Sequence, residues 1–338
     1  MAPAGSARVP VAMLSAILKP VLGLSVEDFP RVAKEHFGAL PEMDQVWPYF
    51  EEPSHAILDN FWSTLDRPSL DHVMPMLEAN SAKIRGVAYE GAAMALMFLD
   101  TLLPYRRRVK ALLAGPCGVY RPMVYVGAGM ILPRLPMDPL RVVDRFKDDP
   151  ERWCMLDGYG FLDGFFNARA CLDRQSRPDG LAGEAARNFD SGVGRSLYFT
   201  SAANPDRIAS VLRRFPESRR RDLWGGVGLA CGYTGGAMNT DGYRRLLATS
   251  GDYAVEVAVG LAAAAALREQ TSHPADHTDG ACQVFWGMDA GSVAHFLAEV
   301  TRIQPQAAGP RYEEWRRCAK SIWSDRHELA NGMEGVHG

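Results

Sequence analysis

The sequence predicts an all-α fold in which paired helices (α/α repeats) succeed one another, curved or closed into a toroid around an apolar cavity. Three observations carry this expectation. Segments 86–103 and 254–267 are long and rich in Ala, Leu or Met, and 312–323 also reads as a helix. Alternating β-type runs bounded by turns are scarce, and Met123–Val126 is the best of them. Glycine accounts for 32 of 338 residues, about 9.5% against a usual ~7%, and it recurs in similar local sequences.

Residues 1–55 read as an N-terminal helical cap. Within it, Arg8 followed by Val9–Leu18 faintly resembles a short signal peptide. Lys19 and Pro20 interrupt that stretch and no small-x-small cleavage site follows, which points to a cytoplasmic chain. Residues 56–305 form the repeat core. Arg85-Gly-Val-Ala-Tyr-Glu-Gly91 opens a long apolar helix. Its pattern recurs in Asp157-Gly-Tyr-Gly-Phe-Leu-Asp-Gly164, in Gly225-Gly-Val-Gly-Leu-Ala-Cys-Gly232 and, more weakly, in Asp279-Gly-Ala-Cys-Gln-Val-Phe285. A second series comprises Val126-Gly-Ala-Gly129, Ser191-Gly-Val-Gly194 and the weaker Glu256–Gly260, with last glycines 65 and 66 residues apart. Prolines 136, 139, 205, 216 and 274 break the chain between the series. The result reads as four units of about 65 residues, each a pair of helices. Glycines so placed let helix backbones approach closely, or leave room for a ligand beside them. Val257–Leu267 is 11 residues long, too short to span a bilayer, so no transmembrane segment is expected. Residues 306–338 supply a last helix and a polar tail from Asn331 that is expected to fray.

Composition excludes several classes of function. Thirty-seven basic residues against 40 acidic ones give a net charge of −3, so there is no basic excess to neutralise a nucleic-acid backbone. Arg219–Arg221 and the run from Arg106 to Lys110 read as solvated helix ends. Six cysteines without a C-x-x-C pair read as buried free thiols of a reducing compartment. Gly-x-Ser-x-Gly, Walker and His-Glu-x-x-His motifs are missing, and Val126-Gly-Ala-Gly-Met130 lacks the third glycine of a dinucleotide site. His273 and His277 are separated by Pro274 and read as a surface loop. Neither a metal nor another cofactor is expected.

The carboxylates are more suggestive. Glu90 lies within Ala88-Tyr-Glu-Gly-Ala-Ala-Met94, surrounded by apolar helix. Asp157 and Asp163 are six residues apart, which on a helix separates them by about 120°. Asp157 and Asp190 each also read as a helix N-cap. Arg195, in an apolar run, answers a buried carboxylate, because an unpaired buried guanidinium is costly. Tyr89, Phe98, Tyr159, Phe161, Phe165, Tyr198, Phe199, Trp224 and Tyr233 accompany these acids, and at helical spacing they equally read as core. A carboxylic acid in an apolar cavity has a raised pKa and donates a proton at neutral pH. Aromatic faces stabilise developing cations. Asp-Asp-x-x-Asp and Asp-x-Asp-Asp are both absent, and the one Asp-Asp pair, Asp148-Asp149, precedes a proline.

Several blocks, in order, resemble a bacterial family of unknown-function proteins encoded beside enediyne polyketide synthases in actinobacteria. They are Gly86-Val-Ala-Tyr-Glu-Gly-Ala-Ala-Met94, Val126-Gly-Ala-Gly129, Asp157-Gly-Tyr-Gly-Phe161, Phe189-Asp-Ser-Gly-Val-Gly-Arg-Ser-Leu-Tyr-Phe199 and the stretch from Phe215 to Gly236. The resemblance runs from about residue 60 to 325 and implies a role in specialised-metabolite biosynthesis around a long apolar polyene. It supplies no agreed catalytic residues. Met130 and Tyr198 stand where that family usually shows tryptophan, which implies a differently shaped cavity if they line it.

The expected function is therefore an enzyme that isomerises or cyclises a long apolar polyene by acid/base chemistry without a redox cofactor. Glu90, Asp157, Asp163 and Asp190 are the candidate proton donors or acceptors. Arg195 and Asp222 are expected behind them, with Tyr89, Tyr159, Trp224, Met130 and Tyr198 as cavity walls. One alternative is a noncanonical terpene cyclase acting on an isoprenoid polyene. Another is a non-catalytic polyene carrier that docks on the polyketide synthase or a pathway enzyme.

Overall fold

The computed structural model describes residues 14–303, apart from 104, 116 and 237, and residues 316–325, and all regular structure there is helical. In chain order the α-helices are α1 (Leu14–Leu22), α2 (Asp28–Phe37), α3 (Met43–Asp66), α4 (Leu70–Ala79), α5 (Ala82–Leu102), α6 (Arg108–Ala114), α7 (Arg121–Met130) and α8 (Pro139–Val143). They continue with α9 (Cys154–Phe166), α10 (Gly183–Thr200), α11 (Pro205–Leu212), α12 (Glu217–Thr234), α13 (Thr240–Ser250), α14 (Ala254–Gln270), α15 (Asp276–Trp286) and α16 (Ala290–Ile303). A further helical segment spans 316–325.

The helices form two layers. α3, α5, α7, α9, α10, α12, α14 and α16 pack in an unbroken row, each on the next, and α11, α13 and α15 pack on one another outside it. The row helices are apolar almost all round, as buried helices must be: residues 86–100 of α5 and most of α14 are buried.

The glycines explain how these helices sit so close. Two residues apart on a helix is about 200° of rotation, so Gly-x-Gly puts one glycine on each flank. Gly127 meets Glu90 of α5 and Gly129 meets Met155 of α9, while Gly158 meets Val126 of α7 and Gly160 meets Phe189 of α10. Gly192 then meets Asp157 and Gly194 meets Leu223, Gly226 meets Ser191 and Gly228 meets Val257, and Gly260 closes the series against Gly225. At every one of these positions an added Cβ would overlap the backbone of the facing helix. Gly158, Gly192, Gly226 and Gly260 are 34 residues apart. The unit is thus one row helix and its connection, half the length of the 65-residue unit expected from the sequence. Gly280, the weak fourth copy, belongs to α15 and faces the Tyr243 ring of the outer layer instead.

The row also curls. Phe50 of α3 packs edge-on to Phe199 of α10 at 4.6 Å, Gly86 of α5 lies under the Tyr233 hydroxyl of α12, and Arg268 of α14 donates to the Lys83 carbonyl of α5 at 3.3 Å. The early and late helices therefore meet across an interior.

One expectation needs adjustment. The boundary between cap and core at residue 55 falls inside α3, which continues through Pro48 and Pro53. Val46, Phe50, Ile57, Phe61 and Leu65 form one buried stripe on both sides of that boundary. Thr240–Gln270 has the length and hydropathy of a membrane span, yet 67% of its apolar window is buried, and Gly251–Tyr253 breaks it between α13 and α14. It is core. None of the six cysteines is in a disulfide, and five are buried. Of the segments discussed above, 1–13, 312–315 and the tail from Asn331 lie outside the described residues.

Candidate functional site

The glycine register defines which side chains face the interior. The residue before the first glycine of each pair points away from both flanking helices. Along the row these residues are Glu90, Val126, Asp157, Ser191, Gly225 and Val259. Four residues on come Met94, Met130 and Phe161, which line one apolar pocket of about 20 Å³ together with Ile57 and Phe165. That pocket has room for about one water molecule. On α10 the next turn brings Arg195, and on α12 it brings Leu229, followed by Tyr233.

Glu90 and Asp157 occupy equivalent positions in this register but have different partners. Asp157 is ion-paired with Arg195, whose guanidinium also lies 4.8 Å from the centre of the Phe161 ring. Glu90 is only 3% exposed, and among the described residues nothing donates a hydrogen bond to its carboxyl group. Burial pushes its pKa up from 4.5 to about 7; the Arg195 guanidinium pulls it down and the Asp157 carboxylate pushes it up. Near neutral pH it is thus divided between acid and carboxylate. Tyr233 adds a phenol, pushed up to about 12 by burial while Arg268 pulls it down. Arg268 donates to the Tyr233 carbonyl and lies over the Tyr233 ring at 4.4 Å. Ser191, Arg195, Gly225, Leu229 and Tyr233 are each part-buried, less enclosed than Glu90 and Asp157 in the same register.

The other sequence candidates lie elsewhere. Asp163, at the far end of α9, accepts from Asn167 Nδ2 at 2.5 Å and Cys171 Sγ at 3.4 Å, and so serves the end of that helix. Asp190 is held by Arg219 Nε at 3.1 and 3.0 Å, and Asp222 by Arg316 at 3.1 Å. Burial raises both carboxyl groups, and the paired guanidinium opposes it in each case. Asp157 and Asp190 are not N-caps: both lie within helices whose caps are Trp153 and Ala182. The run Arg219–Arg221 is not a solvated helix end either. It belongs to the first turns of α12, where Arg219 is buried against Asp190 and only its neighbours reach outward.

Among the expected walls, Met130 lines the apolar pocket. Tyr89 stacks on Tyr120 at 4.5 Å, Trp224 is buried beside Gly225, and Tyr159 packs on Phe189 from the face of α9 opposite Asp157. Tyr198 is fully buried and donates to the Gly235 carbonyl at 2.9 Å, which makes it a brace between α10 and the end of α12. Arg268 was missed as a neighbour of the interior. Its only sequence signal was its place at the end of the apolar run of α14.

The chain belongs to the family described as "Protein of unknown function (DUF1702)", whose model matches residues 16–322. No curated protein and no solved structure matches it.

Proposed function

We propose that this chain is an acid/base enzyme of specialised-metabolite biosynthesis that isomerises or cyclises a long apolar polyene, with Glu90 as its acid. One observation carries the reading: a carboxyl group buried in apolar helix, without a hydrogen-bond donor among the described residues, poised near neutrality beside an arginine already satisfied by another carboxylate. The resemblance to proteins encoded beside enediyne polyketide synthases gives the reading its setting.

The chemistry balances without an oxidant or reductant. The Glu90 acid delivers its proton to one carbon of a C=C bond, and the π electrons form the new C–H bond, leaving an allylic cation. In cyclisation a second C=C supplies the electron pair for a C–C bond. In either outcome a proton leaves an adjacent carbon for the Glu90 carboxylate, which restores the acid. Phe161 and Tyr233 present aromatic faces to the cation, and the Asp157–Arg195 pair adds little net charge beside it. The polyene enters along the half-buried stripe Ser191–Tyr233, widening a pocket that otherwise holds about one water.

Turnover in D₂O tests this. Linear polyenes and isoprenoid substrates are incubated with the full chain, and products are examined by mass spectrometry. The expected result is a product isomeric with its substrate that carries deuterium from solvent. Tight polyene binding without turnover would make the protein a carrier instead.

A further inference from the structure

Six large hydrophobic residues are exposed among the described residues. Val21, Tyr49 and Val119 stand singly along the chain, as isolated surface hydrophobics do in most proteins. The other three, Leu102, Leu103 and Tyr105, are 57%, 37% and 70% exposed and share the short connection between α5 and α6. Clustering of this kind marks an interaction surface.

The connection is a fixed tip. The Leu103 N–H closes α5 on the Leu99 carbonyl at 2.8 Å, and the Arg106 N–H turns back on the Leu103 carbonyl at 3.1 Å. Asp100, buried near the end of α5, accepts from Arg108 Nη1 at 3.1 Å and from the Val109 N–H at 3.0 Å. α6 then buries Val109, Leu112 and Leu113 and leaves Lys110 exposed. The backbone of the tip is thereby set, with its apolar side chains in the open.

The charge around the tip is one-sided. No acidic residue occurs between Asp100 and Asp138. Arg108 is answered by Asp100 and adds nothing to the balance. Arg106, Arg107 and Lys110 are exposed and have no ion pair among the described residues. Arg106 lies 5.5 Å from the centre of the Tyr105 ring, and Lys110 lies 5.3 Å from that of Phe146. The C-terminal end of α5 favours Arg106 and Arg107, but they also adjoin the N-terminal end of α6, which disfavours them. Arg107 moreover holds a left-handed φ of +49°, which costs arginine more than glycine.

This combination selects its partner. A second copy of the chain, docked symmetrically, would set these cations against their own counterparts. An anionic bilayer answers both halves: leucine and tyrosine enter the interface beneath the headgroups, and the cations meet the headgroup charge. One weak signal does not anchor a protein, whereas two together give reversible attachment.

We propose that the tip formed by Leu102, Leu103, Tyr105, Arg106, Arg107 and Lys110 docks this protein reversibly on an anionic membrane surface. The docking does not depend on the chemistry assigned to Glu90.

Cosedimentation of the full chain with vesicles of phosphatidylcholine, alone or mixed with phosphatidylglycerol, tests this. The mixed vesicles should bind at least about tenfold more tightly than the neutral ones, and added salt should weaken that binding. Arg106→Gln/Arg107→Gly removes two cations while glycine relieves the left-handed φ. It should bind mixed vesicles about thirtyfold more weakly, equivalent to about 1 kcal/mol for each cation, with no loss of stability. Leu102→Ser/Tyr105→Ser should weaken binding by about tenfold or more with an unchanged circular dichroism spectrum. Equal binding to both kinds of vesicle, no binding to either, or undiminished binding by either variant would overturn the proposal. Absence of vesicle binding together with self-association that Leu102→Ser/Tyr105→Ser abolishes would make the tip a contact between copies instead.

Discussion

Glu90→Gln is expected to abolish polyene turnover and to stabilise the protein in mild base. A positioned general acid contributes about 10²- to 10⁴-fold to rate, and the amide cannot donate an acidic proton. The stability effect follows from linkage. Folding lifts the Glu90 pKa from 4.5 to about 7, so between those pH values the folded protein holds a proton that the unfolded chain has released. Stability from this group is greatest below pH 4.5, declines as pH rises toward 7, and levels off above it. The full difference is about 3 kcal/mol. Glutamine is neutral throughout and lacks this slope. Chemical denaturation of both proteins at pH 5 and pH 8 should give a variant whose advantage grows by about 2–3 kcal/mol between the two. Parallel pH profiles would show that Glu90 is not held near neutrality, and undiminished turnover would remove it from the chemistry.

The second large effect concerns Gly225 and Gly226, adjacent residues with opposite expected outcomes. In α12, Gly226 faces the Ser191 carbonyl and the Arg195 backbone nitrogen of α10, and an added Cβ would overlap them. Gly226→Ala forces two backbones apart in the middle of the row and should cost about 3 kcal/mol or more. Gly225 has open space, its nearest neighbours being the Arg316 guanidinium at 3.6 Å and the Glu256 carbonyl at 3.8 Å. Gly225→Ala should therefore gain the helix propensity of alanine, about 1 kcal/mol. Urea denaturation distinguishes them. Equal destabilisation would mean that glycine serves flexibility here and not close helix approach.

Much of this architecture was legible because glycine and apolar runs are local signals. The 34-residue interval was hidden by the sequence itself. Blocks at 126–129, 191–194 and 256–260 resemble one another, and those at 157–164 and 225–232 form another set. These two sets are alternate helices of one row, so each gives twice the true period. Glu90 was legible because an acid with apolar neighbours on every side of a helix has nowhere polar to point. Asp163 showed the same local pattern, but it sits at the end of α9, where Asn167 and Cys171 meet it. Its fate depended on where the helix stops. Arg219 was misread because three consecutive arginines look solvated, whereas a helix turns each by about 100° and brings one of them onto Asp190. Tyr233 and Arg268 join the interior only because the row curls back on α5, which is a long-range contact that no local pattern encodes.

The central claim is a carboxyl group near neutrality in the interior, and its titration tests that claim most directly. Carbon-13 NMR of protein labelled at the glutamate side-chain carboxyl is recorded across pH for the wild type and for Glu90→Gln. The expected result is one resonance with a midpoint near 7 that is missing from the variant. If the resonance lost in Glu90→Gln instead titrates near the ordinary glutamate value of about 4.3, Glu90 is not the buried acid described above.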